Sequence, residues 1–372
     1  MANKKHILIN ASTAATGGGL LVATDIIKAI CKNIDWQITL ICPPINVYRK
    51  LIVEASKLYV PSLLLKAYSR WILDYFWLKN TINKLSPDMV VSLGNLPAVC
   101  EATQIMFNDN AFVSEKEIKG FGLTLKELLA HSIRKKIFIA RLSYVDFLVV
   151  QTDYEKQKFI QNYLNLPPIH VLPPLFPEHL LHAGATVPGI GTNIQHGVRL
   201  GCISYVYGHK NLEILIAVLN LAQKKKFQLQ ILFTLAPEKK WLTRSLKKKL
   251  KPLIASGYAV NLGKIRPTQI KAILSQLDGL ILPSLNESYS LNYIEALCLG
   301  KRLLVSDRQF SRSICGNNAV YFNPLDAHDI LNKIYATFAT GNIQNNNNMT
   351  VEEILPVSST EDLYSFLNSK MV

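Results

Sequence analysis

The stretch LPSLNESYSLNYIEALCLGKRLLVSD, residues 282–307, decides the fold of this chain. It continues the run DGLILP, which is short, aliphatic and typical of a buried parallel strand, and NESYS follows as a polar, turn-forming break. The run LNYIEALCLG then carries apolar residues at helical spacing and ends at Gly300, and RLLVSD has the composition of another strand. The order of strand, loop, helix and strand predicts an α/β unit on a parallel sheet.

Two glutamates of this stretch, Glu287 and Glu295, lie eight positions apart. Glu287 falls in the predicted loop and Glu295 about two helical turns further on, near the carboxyl edge of the sheet, where ligands of open α/β sheets bind. The backbone N–H groups at the helix start, around Ser290 and Leu291, have no partners within the helix and suit a phosphate. A carboxylate beside a phosphate repels it and binds hydroxyls instead. The whole string therefore favours a sugar nucleotide as ligand, although two isolated glutamates would indicate only solvated helix charges.

The segment resembles the donor-binding signature of the retaining family 4 glycosyltransferases, also described as glycosyl transferases group 1, which have the GT-B fold. That signature consists of Pro-Ser, a Glu, Gly-Phe-Gly or a similar triplet, and Glu-Ala-x-x-x-Gly. The resemblance implies that Glu287 contacts the transferred sugar and that Glu295 contacts the ribose. It also implies donor contacts for Tyr289, Ser290 and Leu291 at the helix start.

The resemblance continues on both sides in the order that the family shows. Upstream, SYVYGHKNLEILIAVLNLA at 204–222 places Lys210 at the position of the lysine that contacts the donor diphosphate. NLGKIRPTQIKAILSQLDGLILPSL at 261–285 places Lys264 and Ile265 where they would flank the nucleobase. Downstream, CGNNAVYFNPLDAHDILNKI resembles the usual ending of the family, a turn with Asn-Pro or Asp-Pro before a helix. The match is good in the second half of the chain and loose in the first.

Two positions depart from the pattern of the family. Members commonly have an arginine five residues before the lysine, as a second diphosphate contact, and this chain has Tyr205 there. In one interpretation His209 or Arg266 supplies part of the missing charge, and in another a neutral His209 hydrogen-bonds its own loop. In SLGNLPAVCEATQIMFNDNAFV, where relatives have a His-Asn pair that meets the sugar, this chain has Asp109 followed by Asn.

Asp109 therefore has three interpretations. It accepts a hydrogen bond from a sugar hydroxyl, it faces the acceptor, or it forms an Asx turn in its loop. Under the first two interpretations, Asp109, Lys210 and Glu287 are the candidate catalytic residues.

The start of the chain has a second pattern that suits a phosphate. HILIN predicts a strand, ASTAATGGG a small-residue loop, and LLVATDIIKAICK an amphipathic helix. Gly18 and Gly19, which follow Gly17, allow a ligand to approach the backbone closely at the helix start, and the GT-B resemblance implies that they face the donor. The loop lacks the GxGxxG spacing and the lysine of a P-loop, so a donor contact and a flexible turn both stay open.

Length and the alternation of elements predict two domains. A chain of 372 residues exceeds the roughly 250–300 residues at which single cores stop growing. WQITLIC, DMVVSLG and YVDFLVVQT predict further strands in the first half, and a stretch rich in Pro and Gly separates it from the second half. We expect an N-terminal Rossmann-like acceptor-side domain at 1–172, a linker at 173–197, a Rossmann-like nucleotide-sugar-binding domain at 198–355, and at 356–372 a C-terminal helix that crosses back to the first domain. The predicted fold is α/β of the GT-B type, with two Rossmann-like, doubly wound domains facing each other across a cleft.

The net charge of +15, from 41 Lys and Arg against 26 Asp and Glu, favours anionic partners. Two segments of the first half, 57–80 and 119–141, interleave basic residues with aliphatic and aromatic ones. Such a surface suits peripheral contact with an anionic membrane, and the alternative is that the apolar residues are core and the cations a solvated face. No nucleic-acid-binding motif accompanies these segments, and KKWLTRSLKKKLK at 239–251 is typical of a solvated helix.

Several patterns bear on compartment and cofactors. The six cysteines are scattered without paired spacing, which favours a reducing cytosol and indicates neither a zinc site nor a disulfide framework. MANKKHILINAS predicts a first strand rather than a signal peptide, and no run reaches the roughly 18 apolar residues of a membrane span. Because the chain has no Asp-x-Asp motif, we expect transfer without a metal or another cofactor. The expected location is cytoplasmic, peripheral at the inner face of the plasma membrane.

The sequence predicts a retaining glycosyltransferase of the hexosyltransferase type. It would move a sugar from a nucleotide-sugar donor to a glycan or lipid-linked glycan acceptor, in bacterial surface polysaccharide or lipopolysaccharide biosynthesis. Retention and the biosynthetic setting are implied by the resemblance alone. Two alternatives stay open: a nucleotide-sugar epimerase of similar architecture, and a catalytically degenerate protein that binds sugar nucleotides.

Overall fold

The computed structural model describes residues 4–65, 72–94, 96–180, 197–236, 241–339 and 357–371. The chain forms two compact units. The first comprises Met1–Ile118, Leu129–Phe176 and Val357–Val372, and the second comprises Lys119–Leu128 and Pro177–Pro356. Each unit is built on a parallel sheet and has its own hydrophobic core.

The sheet of the first unit has seven strands: β1 Lys5–Asn10, β2 Trp36–Cys42, β3 Ser56–Tyr59, β4 Met89–Gly94, β5 Gln104–Asn108, β6 Phe147–Val150 and β7 Ile169–Val171. Their order across the sheet is β3-β2-β1-β4-β5-β6-β7, and neighbouring strands are parallel. The chain builds one side of the sheet from β1 and then returns to build the other side from β4. This order is that of a doubly wound, Rossmann-like sheet, whose switch point lies between β1 and β4.

Helices in the described part of the first half are α1 Gly17–Cys31, α2 Asn46–Lys50, α3 Lys79–Leu85, α4 Ala111–Ser114, α5 Leu125–Ala140 and α6 Asp153–Asn162. A π-helical turn at Leu73–Leu78 leads into α3, and 3₁₀ turns cover Ser62–Leu65 and Leu142–Tyr144. Helix α1 buries Ile26, Ile27 and Ile30, whose spacing places them on one face against the sheet. The amphipathic pattern of the sequence therefore determines which face of α1 packs.

The second unit has a sheet of six strands: β8 Val198–Cys202, β9 Leu229–Phe233, β10 Ala259–Asn261, β11 Gly279–Leu282, β12 Arg302–Ser306 and β13 Val320–Phe322. The strands are parallel, in the order β10-β9-β8-β11-β12-β13. The described helices of this half are α7 Glu213–Lys224, α8 Trp241–Ala255, α9 Ile270–Leu274, α10 Leu291–Cys298, α11 Gln309–Cys315 and α12 Ala327–Ala339. Further 3₁₀ turns cover Glu178–Leu180, Gly208–Lys210 and Pro267–Gln269.

The core of the second unit follows from the sequence pattern. All four residues of β11 are buried, as the aliphatic run DGLILP predicts. Helix α7 buries Leu215 and Leu219, one turn apart, in the same core as Ile231 and Ile281 of the sheet. Burial of each such side chain stabilises the folded state by about 1.5–3 kcal/mol relative to exposure.

The predicted fold class is confirmed as two Rossmann-like α/β units with parallel sheets. The deciding stretch folds as predicted, since its strand is β11, its helix is α10 and its second strand is β12. No helix within the described ranges is long and apolar enough to cross a membrane.

A last helix, α13 at Thr360–Asn368, belongs to the first unit. Its start is a capping box, in which the Asp362 carboxylate accepts from the backbone N–H of Ser359 at 2.8 Å and the Ser359 hydroxyl accepts from that of Asp362 at 3.0 Å. Leu363 and Leu367, one turn apart, are fully buried in the core of the first unit, and the Tyr364 ring meets Trp36 edge-on with centroids 5.4 Å apart. The C-terminal segment therefore completes the core that β1 and α1 begin.

The observed units differ from the predicted boundaries at Lys119–Leu128, which the sequence analysis assigned to the first domain and which belongs to the second unit. The reason is a close backbone contact, since a Cβ atom on Gly122 would lie 2.8 Å from the carbonyl oxygen of Gly208. Gly122 also has a φ of +67°, which side-chain-bearing residues disfavour. The larger part of the predicted linker, 181–196, and the polar run 341–350 lie outside the described residues.

Candidate functional site

The switch point of the second sheet lies between β8 and β11. These strands are parallel neighbours, with Gly279 opposite Leu200, and the chain extends the sheet away from them on both sides. Crevices at such a reversal, outside the carboxyl ends of the strands, bind ligands in open α/β sheets. The loop after β8 and the loop after β11 meet there, because the backbone N–H of Leu285 donates to the carbonyl oxygen of His209 at 2.7 Å.

Lys210 and Glu287, predicted separately as a diphosphate contact and a sugar contact, form an ion pair at this switch point. Lys210 comes from the loop after β8 and Glu287 from the loop after β11, so the pair joins the two loops. Both side chains are mostly but not fully buried, at 20% and 10% exposure. The ion pair holds both side chains in place before a ligand binds. A ligand that contacts Lys210 or Glu287 therefore binds a group that is already paired with the other.

The conformation of the loop around Lys210 is determined by two residues with little freedom. Asn211 adopts a left-handed φ of +51°, and its side-chain amide donates to the carbonyl oxygen of Pro324 at 2.7 Å. Gly208 has no room for a side chain, because its Cβ would collide with the backbone of Gly122. The Lys210 backbone is therefore fixed from both sides.

The aromatic residues before Lys210 bear on the missing arginine. The His209 ring stacks on the Tyr207 ring, with centroids 5.6 Å apart and planes 11° apart. The centroid of the Tyr205 ring lies 6.3 Å from that of Tyr207. Tyr205 is about half exposed. Arg266, the other candidate for the lost charge, is exposed, and its backbone N–H donates to the side-chain oxygen of Gln269 at 2.9 Å. The two suggested sources of positive charge thus stay predictions.

Helix α10 begins directly after this loop. Ser290 is its N-cap residue, with extended dihedral angles, and its hydroxyl makes no capping hydrogen bond within the described residues. The first turn, which starts at Leu291, has no acidic residue. The positive end of this helix therefore has neither a carboxylate nor a hydroxyl that competes with an anion. Tyr289, predicted to contact the donor, is largely buried beside the helix start, and burial raises the pKa of its phenol.

Glu295 lies on the buried face of α10, and its side chain is only 2% exposed. Its Oε1 lies 2.9 Å from Nε2 of His179, whose side chain is 7% exposed. Its Oε2 is buried without a hydrogen-bond partner in the described part of the chain. His179 was not among the predicted site residues, because it falls in the segment that the sequence marks as a linker, 116 positions away from Glu295.

Lys264 and Ile265 follow β10, two strands away from β8 at the same carboxyl edge. Lys264 is exposed and Ile265 is partly buried. The structure therefore places Lys264 and Ile265 at the carboxyl edge of the sheet, two strands from the Lys210 loop, and their contact with a nucleobase stays a prediction.

The glycine loop of the first unit has an unpredicted neighbour. Gly17 has a φ of +74° and opens α1, and open space surrounds the positions where Cβ atoms of Gly17 and Gly18 would lie. At Gly19, a Cβ atom would collide with Oδ2 of Asp109, which follows β5. The close approach that the sequence predicts at Gly19 is therefore made by the Asp109 carboxyl.

The carboxyl groups of Asp109 and Glu155, both in the first unit, have raised pKa values. Burial raises its pKa to about 7, and burial likewise raises the pKa of Glu155 to about 7, with the Asp109 charge adding to the effect. Oε1 of Glu155 accepts from the Asn108 amide at 2.8 Å. The Asx turns of this loop are made by Asn108, which accepts from the Asn110 N–H at 3.3 Å, and by Asn110, which accepts from the Phe112 N–H at 3.1 Å. Asp109 lies between these two residues, and its three interpretations stay open.

A small pocket of about 30 Å³ adjoins Asp109 within the first unit. Its walls are largely apolar, with polar groups from Asn108, Asp109 and Gln151, and Leu175 and Leu363 contribute to its lining. Glu155 and this pocket were missed by the sequence analysis, because no local pattern indicates which residues converge from separate strands.

Comparison with known proteins relates this geometry to a class. Residues 197–339 match the family model described as Glycosyl transferases group 1, and this range runs from just before β8 through α12. No curated protein matches the chain by sequence. The match to glycosyl transferases group 1 therefore lies within the second unit.

Solved structures show the fold of the whole chain. Sucrose-phosphate synthase from Thermosynechococcus elongatus is similar with a TM-score of 0.69 at 15% identity, covering 99% of this chain and 100% of that one. Anabaena HepE, in complex with UDP and glucose, has a TM-score of 0.69 at 12% identity over 99% and 100% of the two chains. The lipopolysaccharide outer core galactosyltransferase WaaB has a TM-score of 0.62 at 13% identity over 98% and 99%. The fold is that of GT-B glycosyltransferases.

Proposed function

We propose that this protein is a retaining glycosyltransferase that moves a sugar from a nucleotide-sugar donor to a glycan or lipid-linked glycan acceptor. The observation that carries the proposal is the Lys210–Glu287 pair at the switch point of the second sheet, where ligands of such sheets bind. The group 1 domain match over 197–339 supports the same activity.

The geometry suggests a role for each group in the donor site. Lys210 and the N–H groups at Ser290 and Leu291 bind the donor diphosphate, where negative charge grows as the bond to the sugar breaks. Glu287 accepts from hydroxyls of the transferred sugar, and its ion pair holds Lys210 beside that sugar. Glu295 binds the ribose. The lysine and the helix dipole supply positive charge, and we expect no metal or other cofactor to take part.

Asp109 serves the sugar or the acceptor from the first unit. A carboxyl group with a pKa near neutral pH is able to donate or to accept a hydrogen bond under physiological conditions, depending on its protonation.

Two of the similar structures support the proposed nucleotide-sugar donor and the proposed biosynthetic role. HepE was solved with UDP and glucose, which supports a nucleotide sugar as donor. WaaB is a lipopolysaccharide outer core galactosyltransferase, which supports a role in bacterial surface polysaccharide or lipopolysaccharide biosynthesis. The protein would work in the cytoplasm, at the inner face of the plasma membrane.

An exposed apolar face of α5 supports contact with that membrane. Leu125, Leu129 and Ile133, spaced one turn apart, are 86%, 63% and 50% exposed. Lys126 and Lys136 are exposed on the same helix. Large aliphatic side chains flanked by lysines suit the interface of an anionic leaflet, which attracts the cations and buries the apolar groups.

The π-helical turn at Leu73–Leu78, which contacts Arg141 just after α5, carries further exposed aromatic residues. Arg141, at the end of α5, forms a buried ion pair with Asp74 at 2.8 Å, and its guanidinium lies 5.4 Å from the centroid of the Tyr75 ring. Tyr75 and Phe76 are about half exposed. These side chains are thus on the surface, whereas Leu73, Leu78 and Phe138 of the same two segments are buried in the core. Trp71, which the sequence analysis included, lies outside the described residues.

Donor turnover with and without an acceptor tests the proposed function. We would screen UDP-, GDP- and ADP-sugars with the purified protein, in the presence and absence of detergent-solubilised lipid-linked glycans. A transferase consumes the donor in proportion to acceptor, and a retaining one preserves the anomeric configuration in the product, whereas an inverted product would contradict retention. Epimer formation without acceptor would establish the epimerase alternative, and binding without turnover would establish a degenerate protein. Glu213→Ala, at an exposed ion pair with Lys249, is a matched surface control for the Glu287→Ala variant.

A further inference from the structure

We propose that His179 is a positioning residue of the donor site, which holds the Glu295 carboxylate in place for a ribose hydroxyl. This inference rests on the proposed function, because it assumes that Glu295 binds the nucleotide. It assigns a role to a segment that the sequence indicates only as a linker.

The contact between the two residues is short and buried. Nε2 of His179 lies 2.9 Å from Oε1 of Glu295, and the side chains are 7% and 2% exposed. An ionised carboxylate only accepts hydrogen bonds, so Nε2–H of the imidazole is the donor. Because the carboxylate is buried, this bond prevents Oε1 from becoming an unsatisfied acceptor.

The other oxygen of the Glu295 carboxylate indicates that the ligand supplies a hydrogen-bond donor. Oε2 of Glu295 is buried and has no hydrogen-bond partner within the described ranges, a costly arrangement for an ionised group. A donor supplied by a ligand removes that cost. A ribose hydroxyl is such a donor, and nucleotide-binding sheets of this type commonly present a carboxylate to it.

The turn that carries His179 is itself fixed. His179 is the middle residue of the 3₁₀ turn Glu178–Leu180, which closes with a hydrogen bond from the Leu180 N–H to the Pro177 carbonyl oxygen at 3.0 Å. Leu180 is buried, and its carbonyl oxygen accepts from the Lys271 ammonium at 3.3 Å. An imidazole on a fixed turn restricts the carboxylate to one rotamer, which is how a supporting residue preorganises a binding group.

Nucleotide binding with and without ribose hydroxyls tests the proposal. Calorimetry would compare UDP, GDP and ADP with their 2′,3′-dideoxy counterparts, on the wild type and on His179→Ala and His179→Gln. We expect His179→Ala to weaken the binding ribonucleotide about tenfold and to leave its dideoxy counterpart within about twofold. His179→Gln, whose amide N–H lies near the position of Nε2, should restore most of the ribonucleotide affinity. Circular dichroism and unfolding curves would show that each variant is folded, and His179→Asn, whose amide is too short to reach, replaces His179→Ala if that variant does not fold.

The outcomes separate the inference from the function on which it rests. Equal weakening of both nucleotide types by His179→Ala would show a purely structural histidine and overturn the proposal. Tighter ribonucleotide binding by that variant would overturn it as well, since His179 would then obstruct the ribose. If the wild type binds ribo- and dideoxynucleotides equally, the positioning role fails while the donor site stands. If it binds none of the three diphosphates, the proposed function fails and the inference fails with it.

Discussion

The carboxyl group of Asp109 lies against the Cα atom of Gly19, where a Cβ atom would collide with Oδ2. Asp109 follows β5 and Gly19 lies in the first turn of α1, so the absence of a side chain at one position makes room for the carboxyl group at the other. Glycine is required at position 19 by this contact, whereas the space around the neighbouring Gly18 is open.

Gly19→Ala should therefore destabilise the protein and displace Asp109. The inserted methyl group forces the carboxyl or the helix start to move, at a cost of about 1–3 kcal/mol in the free energy of unfolding. Gly18→Ala is the control, because a methyl group there meets nothing and helical alanine stabilises by about 0.4–1 kcal/mol. Urea unfolding of both variants measures the difference. Equal stability of the two variants would contradict the contact.

The Lys210–Glu287 pair predicts a large loss of activity on removal of either partner. Glu287→Ala removes the group proposed to orient the sugar and leaves the Lys210 ammonium without its ion-pair partner, so we expect turnover to fall about a hundredfold or more. Lys210→Ala removes the cation proposed to bind the diphosphate and should lower turnover to a similar degree. Initial rates at saturating donor, with Glu213→Ala as the surface control, give the comparison. Near-normal turnover in Glu287→Ala would refute its assignment.

The raised pKa of Asp109 predicts a pH dependence of stability. In the folded protein the carboxyl keeps its proton up to a pKa of about 7, whereas its usual value is 3.8. Between these values the unfolded chain has released a proton that the folded protein retains, so the contribution of Asp109 to stability falls as pH rises from about 4 to about 7 and is constant above that. An asparagine at this position does not ionise, so its contribution to stability does not fall over this pH range.

Asp109→Asn should therefore gain stability relative to the wild type as the pH rises. We expect the difference in free energy of unfolding to grow by about 4 kcal/mol between pH 4 and pH 8. Denaturant titrations of both proteins across this range measure it, and Glu155→Gln should show the same direction, since burial raises the pKa of Glu155 as well. Parallel pH profiles of variant and wild type would exclude a raised pKa at Asp109.

The exposed face of α5 predicts binding to anionic vesicles. Replacing Leu129 and Ile133 together by Ser should weaken binding to phosphatidylglycerol vesicles about tenfold or more without lowering thermal stability, because both side chains are exposed. Ile254→Ser, at an apolar residue of α8 with 42% exposure, is the control. Co-sedimentation at two salt concentrations measures binding. An equal loss in the control, or equal binding to neutral phosphatidylcholine vesicles, would argue against this membrane surface.

Much of the local structure was predictable, because periodicity and turn residues report how a segment is buried. The run DGLILP is β11, and LNYIEALCLG gives α10 with Glu295 on its buried face. The strands WQITLIC and DMVVSLG were found for the same reason, since aliphatic runs bounded by turns indicate buried strands.

Contacts between residues that lie far apart in the sequence were harder to predict. Lys210 and Glu287 were each proposed, yet their ion pair joins positions 77 apart, and His179 with Glu295 joins positions 116 apart. Glu155 was missed because it lies in helix α6, whereas its partner Asn108 lies 47 positions earlier, at the end of strand β5. Pairings at such separations depend on strand order, which local patterns do not encode.

The sequence by itself determined the two α/β units and the donor signature, because periodicity, turn residues and the motif are local properties of the chain. Tertiary structure decided which groups meet: Asp109 with Gly19, Lys210 with Glu287, and His179 with Glu295. Lys119–Leu128 also belongs to the second unit, although the residues on both sides of it in the sequence belong to the first. The reason is the close backbone contact between Gly122 and Gly208. The physical reason is that packing and hydrogen bonding act between surfaces brought together by the parallel sheets, and their strand order is a property of the whole fold.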